Sequence, residues 1–191
     1  MILPEGGTKS WTATDGETKL EKGAESIACK EVSTEATAEE ALGSAHMILK
    51  NCTAAGIVKC TGLGDEAGII LLEPSWHYVY DTLRASLSEA GIAILFSMNS
   101  AHFECSGRLL SVSSGGMVLC LVANPTALTK TFEFQCKGSK GKPEHTEYFD
   151  DEEERVTITP LMIAENEGTE AEAAVVTSGK MTYNEAILLM F

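Results

Sequence analysis

Cations are scarce in this chain: 14 Lys+Arg stand against 28 Asp+Glu, a formal net charge of −14. Nucleic-acid backbones and anionic lipid surfaces are held by clustered cations, so neither is an expected partner. Long apolar runs are missing as well. Stretches such as residues 92–96 fall far short of the ~18 apolar residues of a membrane-crossing helix, and no membrane insertion is expected. No two of the six cysteines have the Cys-x-x-Cys spacing of a zinc knuckle or a thioredoxin-type redox pair. His46, His77, His102 and His145 are scattered without a His-x-x-x-His pair, so no metal or cofactor is expected. A Gly-x-Ser-x-Gly nucleophile elbow is absent too. Proline-rich linkers, domain-separating charge blocks and internal repeats are lacking, and the 191 residues read as a single domain, 1–191.

What is present is a folded composition, 44% hydrophobic and 22% charged, which separates the chain from disordered ones. Short β-like runs are punctuated by Gly, Pro, Asp, Asn and Ser: 9–14, 17–21, 26–32, 45–50, 68–73, 92–98, 102–105 and 108–112. Beyond the turn at 113–116 follow 117–122, 130–136, 144–149, 155–163, 173–177 and 185–191. Roughly a dozen short strands at this spacing indicate an all-β antiparallel sandwich or barrel. Asp15-Gly16 carries the strongest short hairpin signal. The acidic, alanine-rich stretch 36–43 reads as one helical turn or a loop. Residues 75–80 alternate as a strand, and 81–90 is the best helix candidate, with helix and strand both open. The apolar end, 186–191, must be buried; it is either a last core strand or an assembly surface carried by Ile187, Leu188, Leu189 and Phe191.

Six widely spaced cysteines without metal spacing suggest a disulfide framework and an oxidising compartment. Cys120 and Cys136 bracket the turn-like segment Asn124-Pro125-Thr126-Ala127-Leu128-Thr129, and a hairpin centred near 128 places them opposite each other. That separation suits a disulfide when the pair is not hydrogen-bonded. Cys52 and Cys60 sit symmetrically about Gly56, which suggests a second bridge and leaves Cys29 with Cys105 as a long-range staple. Residues 1–5 show no basic or apolar leader region, so export implies a signal peptide already removed and Met1 added as a start residue.

An ordered set of short motifs resembles a family of uncharacterised secreted proteins of soil-dwelling Gram-positive bacteria. The set comprises Cys29-Lys30, Asn51-Cys52-Thr53, Lys59-Cys60-Thr61-Gly62 and Phe103-Glu104-Cys105-Ser106-Gly107. It continues with Lys130-Thr131-Phe132-Glu133-Phe134, Lys137-Gly138-Ser139-Lys140-Gly141-Lys142-Pro143-Glu144 and Asn184-Glu185-Ala186-Ile187-Leu188, covering most of the chain from about residue 17. The resemblance implies a single exported all-β domain with a cleaved signal peptide, and it brings no activity and no catalytic residues.

Several constellations bear on chemistry. His77 and Asp81, with Ser75 and Ser86 near, share a face whether helical or extended, but on a strand they stand about 13 Å apart at ~3.3 Å per residue. Asp150-Asp151-Glu152-Glu153-Glu154 offers oxygen ligands for calcium without the Asp-x-Asp-x-Asp-Gly spacing, and is most simply a solvated hairpin tip. Residues 137–142 gather three lysines but lack the phosphate-loop spacing, and Pro143 precludes a following helix, which leaves an exposed β-turn. Trp76, Tyr78 and Tyr80, with Trp11 as a further member, make a candidate stacking platform for a glycan, against a plain role in packing. Asn51-Cys52-Thr53 has the glycosylation pattern, compromised if Cys52 is bridged. The reading is a secreted or cell-surface, disulfide-stapled structural or adhesive protein that self-associates through sheet edges and is no enzyme. Its alternatives are a binding module for a glycan or small apolar ligand, and a hydrolase using His77 and Asp81.

Overall fold

The computed structural model describes residues 9–39, 42–82, 91–123, 129–150, 154–166 and 168–187. Among them there is no helix. The strands are β1 (Lys9–Asp15), β2 (Thr18–Lys22), β3 (Glu25–Cys29), β4 (Glu31–Glu39), β5 (Leu42–Lys50), β6 (Thr53–Ala54) and β7 (Val58–Gly62). They continue with β8 (Ile69–Leu72), β9 (Ser75–Asp81), β10 (Ile92–Ser97), β11 (Ala101–Cys105), β12 (Arg108–Val112), β13 (Met117–Ala123) and β14 (Thr129–Cys136). The last are β15 (Gly138–Ser139), β16 (Lys142–Pro143), β17 (Glu147–Phe149), β18 (Arg155–Thr157), β19 (Leu161–Glu165) and β20 (Ala171–Ile187). The all-β class is as expected. Many of the short runs turn out to be segments of longer, kinked strands, and the expected run 155–163 is interrupted ahead of β19, with Pro160 at the break.

Asp15-Gly16 does not reverse the chain. Lys9 opposes Ala38 and Lys22 opposes Glu25, so β1–β2 and β3–β4 form one long hairpin that turns at Gly23-Ala24. Gly23 supplies the left-handed φ of +60° that the turn needs. The other neighbour of β1–β2 is β20, along which Trp11 opposes Tyr183 and Lys19 opposes Val176. The two registers differ by one residue, and Asp15-Gly16 lies where that extra residue is absorbed as a kink. A long template strand on each side outweighs a local turn signal.

Of the stretch 36–43, the described residues 36–39 and 42–43 are likewise strand rather than helix or loop. Ala36 opposes both Trp11 and Ala45, and it is buried between exposed Glu35 and Thr37. That period of two is the signature of a half-buried strand, and the small side chains leave room for the indole of Trp11.

The ladders close twice. The C-terminal half of β20 pairs with β1, and the ring runs on through β4, β5, β9, β10, β13 and β14 back to β20. The N-terminal half of β20 pairs with β2, and a second ring runs through β3, β6, β7, β11, β12 and β19 back to β20. The continuous strands β1–β2, β3–β4, β5–β6 and β20 belong to both, which makes a two-storey antiparallel barrel. Closure removes most of the free sheet edge.

Each storey encloses its own core. Trp11, Trp76, Ile94, Phe132, Met181 and Tyr183 fill the first. Ile27, Phe103, Leu110, Leu161 and Ile163 fill the second, together with Cys29, Cys52, Cys60 and Cys105. Residues 92–95 are wholly buried because β10 is covered on both sides. Ile92 and Ile94 enter the first core, whereas Ala93 and Leu95 pack outward with Val79, Leu119 and Ile158. An unbroken apolar run is what a strand buried on both faces requires. The outward face of β4 is polar: Val32, Thr34 and Ala36 point inward while Ser33, Glu35 and Thr37 are exposed. This is the reverse of a transmembrane barrel, whose outward face is apolar. No helix of the described residues is long and apolar enough to cross a membrane.

Candidate functional site: the barrel interior

The aromatic strand β9 turns its tryptophan and tyrosines into the barrel, not to solvent. Trp76 is 1% exposed, and its ring meets Trp11 at 5.3 Å and Tyr78 at 5.4 Å, both edge to face. Its indole N–H donates to the Ser44 carbonyl at 3.3 Å. Tyr80 is buried in the same core, and Tyr78 is packed against it. The glycan platform expected from Trp76, Tyr78 and Tyr80 is therefore corrected to core packing. Alternation shows that three side chains share a face, but not which face meets water.

The hydroxyls of Tyr78 and Tyr183 hydrogen-bond to each other, and the Tyr78 hydroxyl also donates to Met181 Sδ at 3.5 Å. Burial, with Tyr183 alongside, pushes the Tyr78 phenol well above its usual range. Burial raises Tyr183 as well, and its bond to Tyr78 offsets part of that rise. Desolvation disfavours the phenolate in both cases.

His77 and Asp81 lie on the opposite side of β9, four extended residues apart, about 13 Å. Asp81 is buried, its N–H donating to the Gly91 carbonyl at 3.0 Å, and neither His77 nor Asp81 is without a partner. A shared proton between His77 and Asp81 is ruled out by that distance. Residues 83–90, most of the helix candidate and including Ser86, lie outside the described residues, as do 151–153 of the acidic tip. The ends of that tip close a hairpin: Asp150 N–H donates to the Glu154 carbonyl and Glu154 N–H to Asp150 Oδ1, at 3.0 and 2.9 Å. Among the described residues, no three His, Cys, Asp or Glu side chains converge on a metal position. Ile187 ends β20, and its side chain lies outside the described residues with Leu188, Leu189 and Phe191.

The lysine-rich segment 137–142 is a two-residue hairpin turn, β15–β16, with Lys140 and Gly141 both at positive φ. The Lys140 N–H donates to Glu21 Oε2 at 2.8 Å, so this loop holds a carboxylate of its own chain. At the open end of the second storey, Arg108 clasps Glu165 (Nε–Oε1 2.6 Å) and Glu25 (Nη2–Oε2 3.1 Å). Those hydrogen bonds hold the guanidinium charged and lower the Glu165 carboxyl, joining β3, β12 and β19 across the mouth.

All six cysteines are paired: Cys29–Cys52, Cys60–Cys105 and Cys120–Cys136. The third bridge is the one expected, with Cys120 directly opposite Cys136. The other two correct the expected Cys52–Cys60 and Cys29–Cys105 pairs. Extending the β3–β6 register puts Cys29 opposite Cys52, and Cys60 opposes Cys105 across β7–β11. Cys52 and Cys60 do face each other on β6–β7, as their symmetry about Gly56 implies, but the Cys60 N–H donates to the Cys52 carbonyl. A residue in an antiparallel sheet is hydrogen-bonded to one neighbouring strand and not to the other. Disulfides suit the closer, non-hydrogen-bonded pairs. Cys29, Cys52, Cys60 and Cys105 thus form one row across four strands, bridged at its first and last steps, with bridged Cα atoms 3.9 and 4.2 Å apart.

Where the storeys meet, the interior holds an apolar cavity of about 100 Å3. Its wall combines Trp11, Met47 and Phe134 with Ile70, Met98 and Phe103. Thr18, Thr34 and Thr177 are its buried threonines, and the hydroxyls of Thr18 and Thr177 are bonded to each other at 2.6 Å. No motif in the sequence announces this cavity, because its wall is drawn from most of the chain. Comparisons with protein-family models, with curated proteins and with solved structures find no match to this chain.

Proposed function

We propose that this chain is an exported, disulfide-stapled structural or adhesive protein of a cell surface or extracellular matrix, and not an enzyme. One observation carries the reading: every cysteine is spent on a bridge between directly opposed neighbouring strands, two of them in a single row of the second storey. Bridges of this kind persist in oxidising compartments and hold a closed barrel against unfolding. The resemblance to an exported family supports the same reading. The non-enzymatic part rests on the separation of His77 from Asp81. Self-association is confined by ring closure to short strands such as β8, whose Leu71 N–H is already accepted by Asp65 Oδ2 at 2.9 Å. The assembly reading therefore rests on Ile187, Leu188, Leu189 and Phe191.

The test is to fractionate producing cells and alkylate the protein under denaturing, non-reducing conditions. The expected result is a surface or medium fraction carrying no alkyl groups. An intracellular protein that takes six groups overturns the proposal. Removing residues after Glu185 and measuring solution mass tests assembly: a monomer before and after truncation removes the self-associating form.

A further inference from the structure

On one side β8 pairs with residues 47–50 of β5. On its other side the outward N–H groups are answered by the loop that precedes it, not by a strand. The Leu71 N–H donates to Asp65 Oδ2 and the Ile69 N–H to the Glu66 carbonyl, each at 2.9 Å. Left open, such donors are a template for another chain. The loop is rooted at both ends, by the Leu63 N–H on the His102 carbonyl at 2.9 Å and the Gly68 N–H on Thr61 Oγ1 at 3.0 Å. Between the roots, Gly64 and Gly68 flank Asp65-Glu66-Ala67 at φ +92° and +84°, a conformation that favours glycine. The half-buried Asp65 carboxylate fills the space that a Cβ on Gly62 would take. Beside this capped edge the surface is apolar: Leu63 is 71% and Leu71 40% exposed, and both line one groove with Asp65.

We infer that residues 63–68 are a latch: Asp65 holds the edge of β8 closed, and its release lets β8 pair antiparallel with β8 of a second copy. The strand is self-complementary in that arrangement. A two-fold axis through Ile70 sets Ile69 of each copy opposite Leu71 of the other. Both residues turn their N–H groups outward, so each opposed pair can exchange two backbone hydrogen bonds, and the apolar side chains of Ile69 and Leu71 meet across the new ladder. The latch goes beyond the assembly reading above, since it rests neither on export nor on the residues after Glu185.

The test uses the full-length, fully oxidised chain with Asp65→Ala, which removes the acceptor, and Asp65→Asn, which keeps one. Near-UV circular dichroism identical to the parent's establishes that each variant has the native barrel. In dilute Asp65→Ala the Leu71 amide is expected to exchange about fivefold faster than in the parent, the worth of one net hydrogen bond. At rising concentration, sedimentation should show Asp65→Ala at twice the parent's mass, with Asp65→Asn unchanged. Mixed labelled and unlabelled copies should give cross-peaks between Leu71 of one chain and Ile69 of the other. Adding Leu71→Lys should restore the parent's mass, because a lysine on an edge strand opposes pairing. Asp65→Ala that keeps the parent's mass at every concentration overturns the proposal, as do aggregates of no fixed size. Equal association of Asp65→Asn overturns it too, since charge and not the hydrogen bond would then guard the edge. The parent itself gives a reading without substitution: unprotected Ile69 and Leu71 amides would mean that no latch is closed.

Discussion

Removing one bridge at a time tests whether the disulfides act on the unfolded chain or on local packing. Cys60–Cys105 closes 45 residues and Cys120–Cys136 closes 16. Loop-closure entropy assigns them about 4.0 and about 3.1 kcal/mol, so the longer bridge should be worth about 0.9 kcal/mol more. Folded-state losses nearly cancel in this comparison. Each pair joins residues directly opposed on neighbouring strands, and all four cysteines are buried at 3% exposure or less. The variants are Cys60→Ala with Cys105→Ala, and Cys120→Ala with Cys136→Ala. Alanine avoids the buried hydroxyl that serine would introduce. Urea unfolding should give both a lower midpoint and a steeper slope than the parent, since an uncrosslinked chain exposes more surface. The thermal midpoint should fall by roughly 10 °C for either, at about 2–4 °C per kcal/mol for a chain of this size, with the larger drop for the Cys60–Cys105 variant. If the Cys120–Cys136 variant proves equally or more destabilised, packing around that hairpin outweighs the entropy of the unfolded chain.

Replacing Cys29 and Cys105 by alanine leaves Cys52 and Cys60 facing each other in a hydrogen-bonded pair. Folded protein with native near-UV circular dichroism should take up two alkyl groups after denaturation, and a spontaneous Cys52–Cys60 bridge would refute the pairing rule drawn from the sheet. At alkaline pH the Tyr78–Tyr183 pair should destabilise the barrel. Both phenols are raised when folded, so their protons are retained longer than in the unfolded chain, and stability is full below about pH 10 and lost above it at about 1.4 kcal/mol per pH unit for each. Urea midpoints between pH 8 and 11.5 measure the loss, and phenolate absorbance from all four tyrosines near pH 10 in still-native protein would contradict it. Gly43→Ala drives a Cβ into the Thr37 carbonyl oxygen and to 2.7 Å from the Trp76 indole nitrogen. A loss of about 3 kcal/mol is expected. Gly56→Ala meets no atom within 4 Å, and only its φ of +74° opposes it, for a loss of about 1 kcal/mol. Similar midpoints for the two would show that the barrel yields around Gly43.

Local information in the chain determines the class of structure and much of its punctuation. Alternating short runs with Gly, Asp and Ser between them specify strands, because side-chain direction in a strand depends only on parity. The Cys120–Cys136 bridge was legible because both partners belong to one hairpin, whose centre fixes their opposition. Whatever depends on a third strand was not legible. Asp15-Gly16 looks like a reversal until β20 runs beside both of its flanks. Cys52 and Cys60 look like partners until β3 and β11 settle which side of each carries the hydrogen bonds. Trp76, Tyr78 and Tyr80 declare a common face, and only ring closure turns that face inward. The same holds for the cavity, which exists only where two cores drawn from distant strands meet. Parity and turn chemistry are properties of neighbouring residues and can be read along the chain. Inside and outside, and the identity of a strand's second neighbour, are created when the sheet closes on itself.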